Sequence, residues 1–129
     1  MEAFLCHPDP QLRYIALNVL TIHWGCAEHR KTCELFAQND PDPDNRRMGV
    51  AGIGALLDGT RDALALAFLL GVFRNAREED TVREAAYSSV LYVLGAPVSE
   101  QPPLTRRLDF ANAVDLGRLG EAERIATGG

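Results

Sequence analysis

Asp9-Pro10-Gln11-Leu12-Arg13 and Asp42-Pro43-Asp44-Asn45-Arg46 carry one motif, Asp-Pro-x-x-Arg, at two places 33 residues apart. A third, eroded copy, Glu79-Asp80-Thr81-Val82-Arg83, follows 37 residues after the second. Self-similarity at this period marks an array of helical hairpins, in which each unit buries a face by packing on the next. The motif itself reads as a helix start. An Asp at the N-cap accepts from the first free backbone N–H groups. Pro at the first helical position has a suitable φ and lacks an N–H that would go unpaired there.

The match between the copies runs past the motif. Ala16, Gly49 and Ala86 stand three residues after each arginine, and Leu17, Val50 and Tyr87 come next. Leu20, Ile53 and Val90 follow, then Trp24, Leu57 and Leu94. This spacing predicts a helix with a small residue at a close backbone approach and an apolar stripe one turn apart. Gly25, Gly59 and Gly95 close the copies, where a left-handed residue ends a helix. First helices are expected over 10–24, 43–57 and 80–94, and second helices over 27–38, 60–75 and 103–116. The connection before the last of these, Ala96 to Pro103, has prolines that forbid helix until the final pair Pro102-Pro103. The expected architecture is all-α, a right-handed α-α superhelix forming a short solenoid of about three hairpins. Its repeats cover 7–39, 40–76 and 77–117 within one domain, 1–117, and a C-terminal tail, 118–129, holds one or two helical turns over Gly120 to Ala126. Met1 to Cys6 precedes Pro8-Asp9-Pro10 as Glu34 to Asn39 precedes Pro41-Asp42-Pro43, so the start reads as the stub of a second helix from a preceding repeat. Phe4 and Leu5 then serve as a minimal cap, or another chain covers that end.

Two-helix repeats headed by Asp-Pro-x-x-Arg resemble the HEAT and HEAT-like, armadillo-type family over residues 7–116, through Asp9, Pro10, Arg13, Asp42, Pro43 and Arg46, and more loosely Glu79, Val82 and Arg83. The resemblance implies that Asp9, Arg13, Asp42, Arg46, Glu79 and Arg83 form a structural ladder tying the turns of successive repeats. It also implies a binding scaffold, with a minority of enzymes such as bilin lyases and alkylpurine DNA glycosylases. The tetratricopeptide pattern Trp-x-x-Leu-Gly-x-x-Tyr is missing. The third copy lacks Asp-Pro, and the first period is short for the family.

The composition narrows the function. Net charge is −5 and the cations stand as singles and pairs, which counts against nucleic acid as the main partner. Twelve of the thirteen cations are arginine, a bias that GC-rich bacterial coding also produces. Three cysteines, an odd number, and a start without a basic segment before an apolar run point to a reducing cytoplasm. The longest apolar run, Ala63 to Phe73, is eleven residues, too short to cross a bilayer.

Four segments carry candidate chemistry. Arg13, Arg46 and Arg83 either line an anion site or, the reading preferred here, bridge neighbouring repeats and satisfy turn carbonyls. His23, Cys26, His29 and Cys33 offer four metal ligands, but Gly25 divides them and one short hairpin does not readily surround a tetrahedral ion, so no metal and no cofactor is expected. The glycines of Gly49-Val50-Ala51-Gly52-Ile53-Gly54 lie inside a predicted helix with no strand before it, so they mark tight packing rather than a phosphate loop. The stretch Ala63 to Phe73 is apolar on all sides, whereas a surface helix shows a polar face. Burial by neighbouring helices, a homodimer contact and a partner groove all account for it.

The expected function is a non-enzymatic protein–protein interaction scaffold that binds a protein partner through its row of second helices. Candidate partner-binding residues are Glu28, Lys31, Glu34 and Leu35, then Asp62, Leu66, Phe73 and Arg74, then Arg106, Arg107, Asp109 and Asn112. No catalytic residue is expected. Alternatives are a HEAT-like lyase or enzyme subunit using Cys or His, and nucleic-acid binding through Arg46-Arg47, Arg74-Arg77 and Arg106-Arg107.

Overall fold

A computed structural model describes residues 6–18, 30–102 and 107–128. Among these residues the chain is all-helical, with six α-helices and no strand. They are α1 (Pro10–Asn18), α2 (Arg30–Asn39), α3 (Pro43–Leu56), α4 (Ala63–Arg74), α5 (Asp80–Leu94) and α6 (Leu116–Ala126), with a 3-10 turn at Val98–Glu100. No helix among the described residues is long and apolar enough to cross a membrane.

The helix starts follow from side-chain oxygens. Asp9 Oδ1 accepts from the Gln11 N–H at 2.9 Å, Asp42 Oδ1 from Asp44 at 2.8 Å, Asp62 Oδ1 from Ala65 at 2.9 Å and Asp115 Oδ1 from Arg118 at 3.1 Å. Each satisfies an N–H that has no partner inside its own helix. Glu79, at the same place before α5, makes no such bond. At the other end of α5, Gly95 takes φ 76° and the Ala96 N–H bonds back to Leu91 O, so the helix closes where a Cβ would be strained.

Helices α1, α3 and α5 lie side by side and point the same way. Asn45 Nδ2 donates to Pro10 O at 3.0 Å, and Ser89 Oγ donates to Val50 O at 3.1 Å. Residues one repeat apart therefore sit next to each other. Helix α2 runs back along α3, and α4 runs back along α5 and also packs on α6. Small residues permit these contacts. A Cβ at Gly49 would lie 2.6 Å from Cys33 O, and one at Gly54 would lie 2.6 Å from Ser89 Oγ. The expected tight packing of the glycine-rich segment is thus present on both sides of α3. The core joins Leu17, Val50, Ile53, Val82, Val90 and Leu91 across this layer with Leu66, Leu69 and Phe73 of α4.

Three expectations are corrected. The second helix predicted over 103–116 is absent from 107–115, where the chain makes turns; residues 103–106 lie outside the described residues. The helix that packs on α4 is α6, in the segment expected to be a tail. Its Leu119 and Ala122 are buried, one turn apart, and Asp115 caps it. The tightest hairpins are also α2 with α3 and α4 with α5, so they join a second helix to the next first helix. The short connection Asp40-Pro41-Asp42 enforces this for α2 and α3. Residues 1–5 of the stub read at Met1 to Cys6, and the end of the first helix beyond Asn18, fall outside the described residues.

Candidate functional site

The repeated arginines build a ladder, with different acids from those expected. Arg13 reaches Asp40 through Nε at 2.8 Å and Nη2 at 3.0 Å, while its Nη1 donates to the carbonyls of His7 and Pro8. Arg46 repeats the arrangement one unit later. Its Nε and Nη2 contact Glu78, at 2.9 Å for the closest pair, and its Nη1 donates to Asp40 O and Pro41 O. Asp9 and Asp42 act instead as helix caps. The bridging carboxylate stands one or two residues before the cap of the next first helix, Asp40 before Asp42 and Glu78 before Glu79, because an arginine one turn into its helix points back to the level of these loops. Burial alone would raise the Asp40 carboxyl, but hydrogen bonds from Arg13, the Asp42 N–H and Asn45 outweigh it and hold the group below its ordinary value.

Arg83 ends the series. Among the described residues no acid of a further repeat receives it; Nε donates to Phe73 O at 2.8 Å, and the guanidinium lies 4.4 Å from the ring centroid of Phe110. Phe73 packs against Phe110 and Tyr87, and the Tyr87 hydroxyl accepts from the Asp115 N–H at 2.9 Å. This cluster fastens the 107–115 segment over the end of the layer. Arg83 also sits 3.7 Å from Asp80 within its own helix.

The predicted partner-binding residues fall in different settings. Leu66 and Phe73 belong to the core, at 0% and 8% exposure, and so do Leu69 and Leu70. Leu66 and Phe73, expected as partner-binding residues, instead face the interior, in line with burial as one account of the apolar stretch. Asp62, Glu34, Arg74 and Arg107 are held in ion pairs. Arg30 bonds both Glu34 and Asp62, Arg74 meets Glu123, and Arg107 meets Glu84 at 2.8 Å. Asp109 and Asn112 form an exposed turn of their own. Lys31 and Leu35 face solvent on α2 as expected. Glu28 and Arg106 lie outside the described residues.

The open side of α4 carries different residues. Leu64 is 75% exposed, Ala67 and Gly71 are exposed, and Phe68 and Val72 are half-buried. Helix α2 runs beside this strip in the same direction. Arg30 meets Asp62 at the N-terminal ends, and Ala37 and Gln38 lie near Gly71, Val72 and Asn75 at the other. A shallow groove separates the two helices. Arg30, Lys31, Glu34, Leu64 and Phe68 line a hollow of about 520 Å³, and Phe68 also borders a second of about 400 Å³ reaching to Asn75 and Glu78. Leu64 and Phe68 give the first hollow an apolar floor, with Arg30, Lys31 and Glu34 at its rim. Gly71 lies on this strip, and a Cβ there would meet nothing within 4 Å.

The chemical alternatives find less here. Cys33 is fully buried, and burial pushes its thiol up to about 12, so it carries essentially no thiolate near neutrality. Cys6 is exposed. His23, Cys26 and His29 lie outside the described residues, and among those described no three His, Cys, Asp or Glu side chains gather as a metal site would require. No family model, characterised protein or solved structure matches the chain.

Proposed function

We propose that this chain is a non-enzymatic, cytoplasmic protein–protein interaction scaffold of the HEAT-like kind, a short right-handed superhelix that engages a protein partner across the α2–α4 face. One observation carries the reading. A helix with a composition suited to the interior leaves Leu64 exposed and Phe68 half-buried along a groove beside α2, while its core-facing stripe is already filled. Exposed large apolar side chains gathered on one face with a polar rim are the anatomy of a binding surface. The ladder supports the architectural half, because the same arginine contact recurs one repeat on.

The enzyme and nucleic-acid readings draw no comparable support. The buried Cys33 is a packing residue, and Arg46, Arg74 and Arg107 each already hold a carboxylate that competes with phosphate. The test places a photo-reactive benzoylphenylalanine at Leu64, with Val98 as an equally exposed apolar control. Position 64 should cross-link to protein and position 98 should not, and Leu64→Asp with Phe68→Asp should abolish association without loss of helix. Equal cross-linking at both positions would refute the reading.

A further inference from the structure

We propose that α6 is an ionic lid over the buried stripe of α4, a helix that forms only as it docks and leaves as a unit when its charges are screened. It stands apart from the α2–α4 groove and rests on three features of α6.

The first is how little of α6 is core. Of its 11 residues Leu119 and Ala122 are buried, with Ile125 and Ala126 partly buried beside them, whereas α5 buries eight of 15. Leu116 is 77% exposed and Gly117 is exposed, so the first turn adds nothing to the core.

The second is how little holds the helix in shape once it is free. A helix of 11 residues is marginal in water by itself, and Gly117 and Gly120 weaken it further. Neither glycine makes room for a neighbouring element. A Cβ at Gly117 would meet only Asp115 Oδ1, at 3.2 Å, and one at Gly120 only Arg124 Nη1, at 3.5 Å. Folding of α6 is therefore tied to its docking, and undocking dissolves it.

The third is the means of attachment. Three ion pairs join α6 to three separate parts of the chain: Arg118 to Glu100 of the 3-10 turn, Glu121 to Arg61 before α4, and Glu123 to Arg74 at the end of α4. These side chains keep 24–49% exposure, against 5–18% for the ladder pairs Arg13–Asp40 and Arg46–Glu78. Salt screens exposed pairs far more than buried ones, so it acts selectively on α6. The chain just before α6 has apolar and neutral anchors as well. Phe110 packs on Phe73, and the Asp115 N–H donates to Tyr87 Oη, so release starts past Asp115. It uncovers the part of the Leu66, Leu69, Leu70 and Phe73 stripe that α5 leaves open. A segment ordered when docked and disordered when free is an established kind of switch.

Residue-resolved amide hydrogen exchange of the full chain by NMR, in about 0.05 M and about 1 M sodium chloride, tests the proposal. The amides from Leu119 to Thr127 should share one opening constant well above that of α5. High salt should raise it roughly 10-fold while Val90 and Leu91 of α5 change little. Glu121→Gln with Glu123→Gln should raise the opening about as far at low salt and remove most of the salt response. Gly120→Ala should lower the opening about 5-fold. Protection that grades from Ala126 inward to a Leu119 as slow as α5 would mean end fraying and overturn the lid. Salt-independent opening of the wild type would overturn it too, as would an opening in Gly120→Ala equal to that of the wild type.

Discussion

Gly49→Ala adds one methyl group where α3 crosses α2. The new Cβ would lie 2.6 Å from Cys33 O, 2.8 Å from the Ala37 backbone nitrogen and 3.1 Å from Phe36 Cβ. Two of these neighbours are main-chain atoms inside a helix, so relief requires α2 to shift as a body. Helix propensity works in the opposite direction and favours alanine by about 1 kcal/mol. Overpacking of a rigid contact costs about 1–3 kcal/mol, and the upper half applies when backbone is the obstacle. The net expectation is a loss of about 1–2 kcal/mol. At about 4 °C per kcal/mol for a domain of this size, the melting temperature should fall by roughly 4–8 °C. Thermal and urea unfolding followed by circular dichroism at 222 nm measure this, with the m-value checked for constancy. A melting temperature equal to or above that of the wild type would mean that propensity wins. The close α2–α3 approach, and the pairing of helices derived from it, would then be wrong.

Removing the ladder contact in Arg46→Ala strips Glu78 and two turn carbonyls of their donor in a partly buried setting, and should cost about 2 kcal/mol in urea unfolding. Arg46→Lys should recover less than half of that, because an ammonium cannot serve the carboxylate and both carbonyls from one plane. Asp40 carries a depressed folded value, so its contribution is present above the unfolded carboxylate value of about 3.9 and is lost as pH falls through the lower folded value. Asp40→Asn should therefore be less stable than the wild type at pH 7, with a shallower loss of stability on acidification below about pH 4; equal slopes would contradict the assignment. Mass-mapped thiol labelling of the native chain at neutral pH should modify Cys6 readily and leave Cys33 unmodified until the chain unfolds, and rapid native labelling of Cys33 would contradict its burial.

Much of the backbone plan follows from local chemistry alone. Asp-Pro places the starts of α1 and α3, Gly95 ends α5, and the expected 80–94 helix is the one observed. The small residues of α3 announce close packing, since nothing but a neighbour explains them. These are short-range properties: caps, fixed φ values and missing side chains act within one turn of the residue that carries them. The acids that receive the arginines were less legible. Asp40 and Glu78 stand outside the motif, and only the return of the chain beside the preceding repeat brings them within reach.

The face of α4 marks the boundary between the two kinds of information. Ala63 to Phe73 is apolar at every helical phase, so no periodicity distinguishes Leu66 and Phe73 from Leu64 and Phe68. The sequence by itself determined that this segment is a helix and that some of its apolar surface exceeds what one neighbour can cover. Only the tertiary structure decided which side, through α5 and α6 taking the stripe of Leu66, Leu69, Leu70 and Phe73. It likewise chose α6 over the 103–116 segment, because Leu119 and Ala122 fill the space beside α4. Which apolar side chains become core is settled by the elements that arrive against them, and a uniformly apolar helix records no preference beforehand.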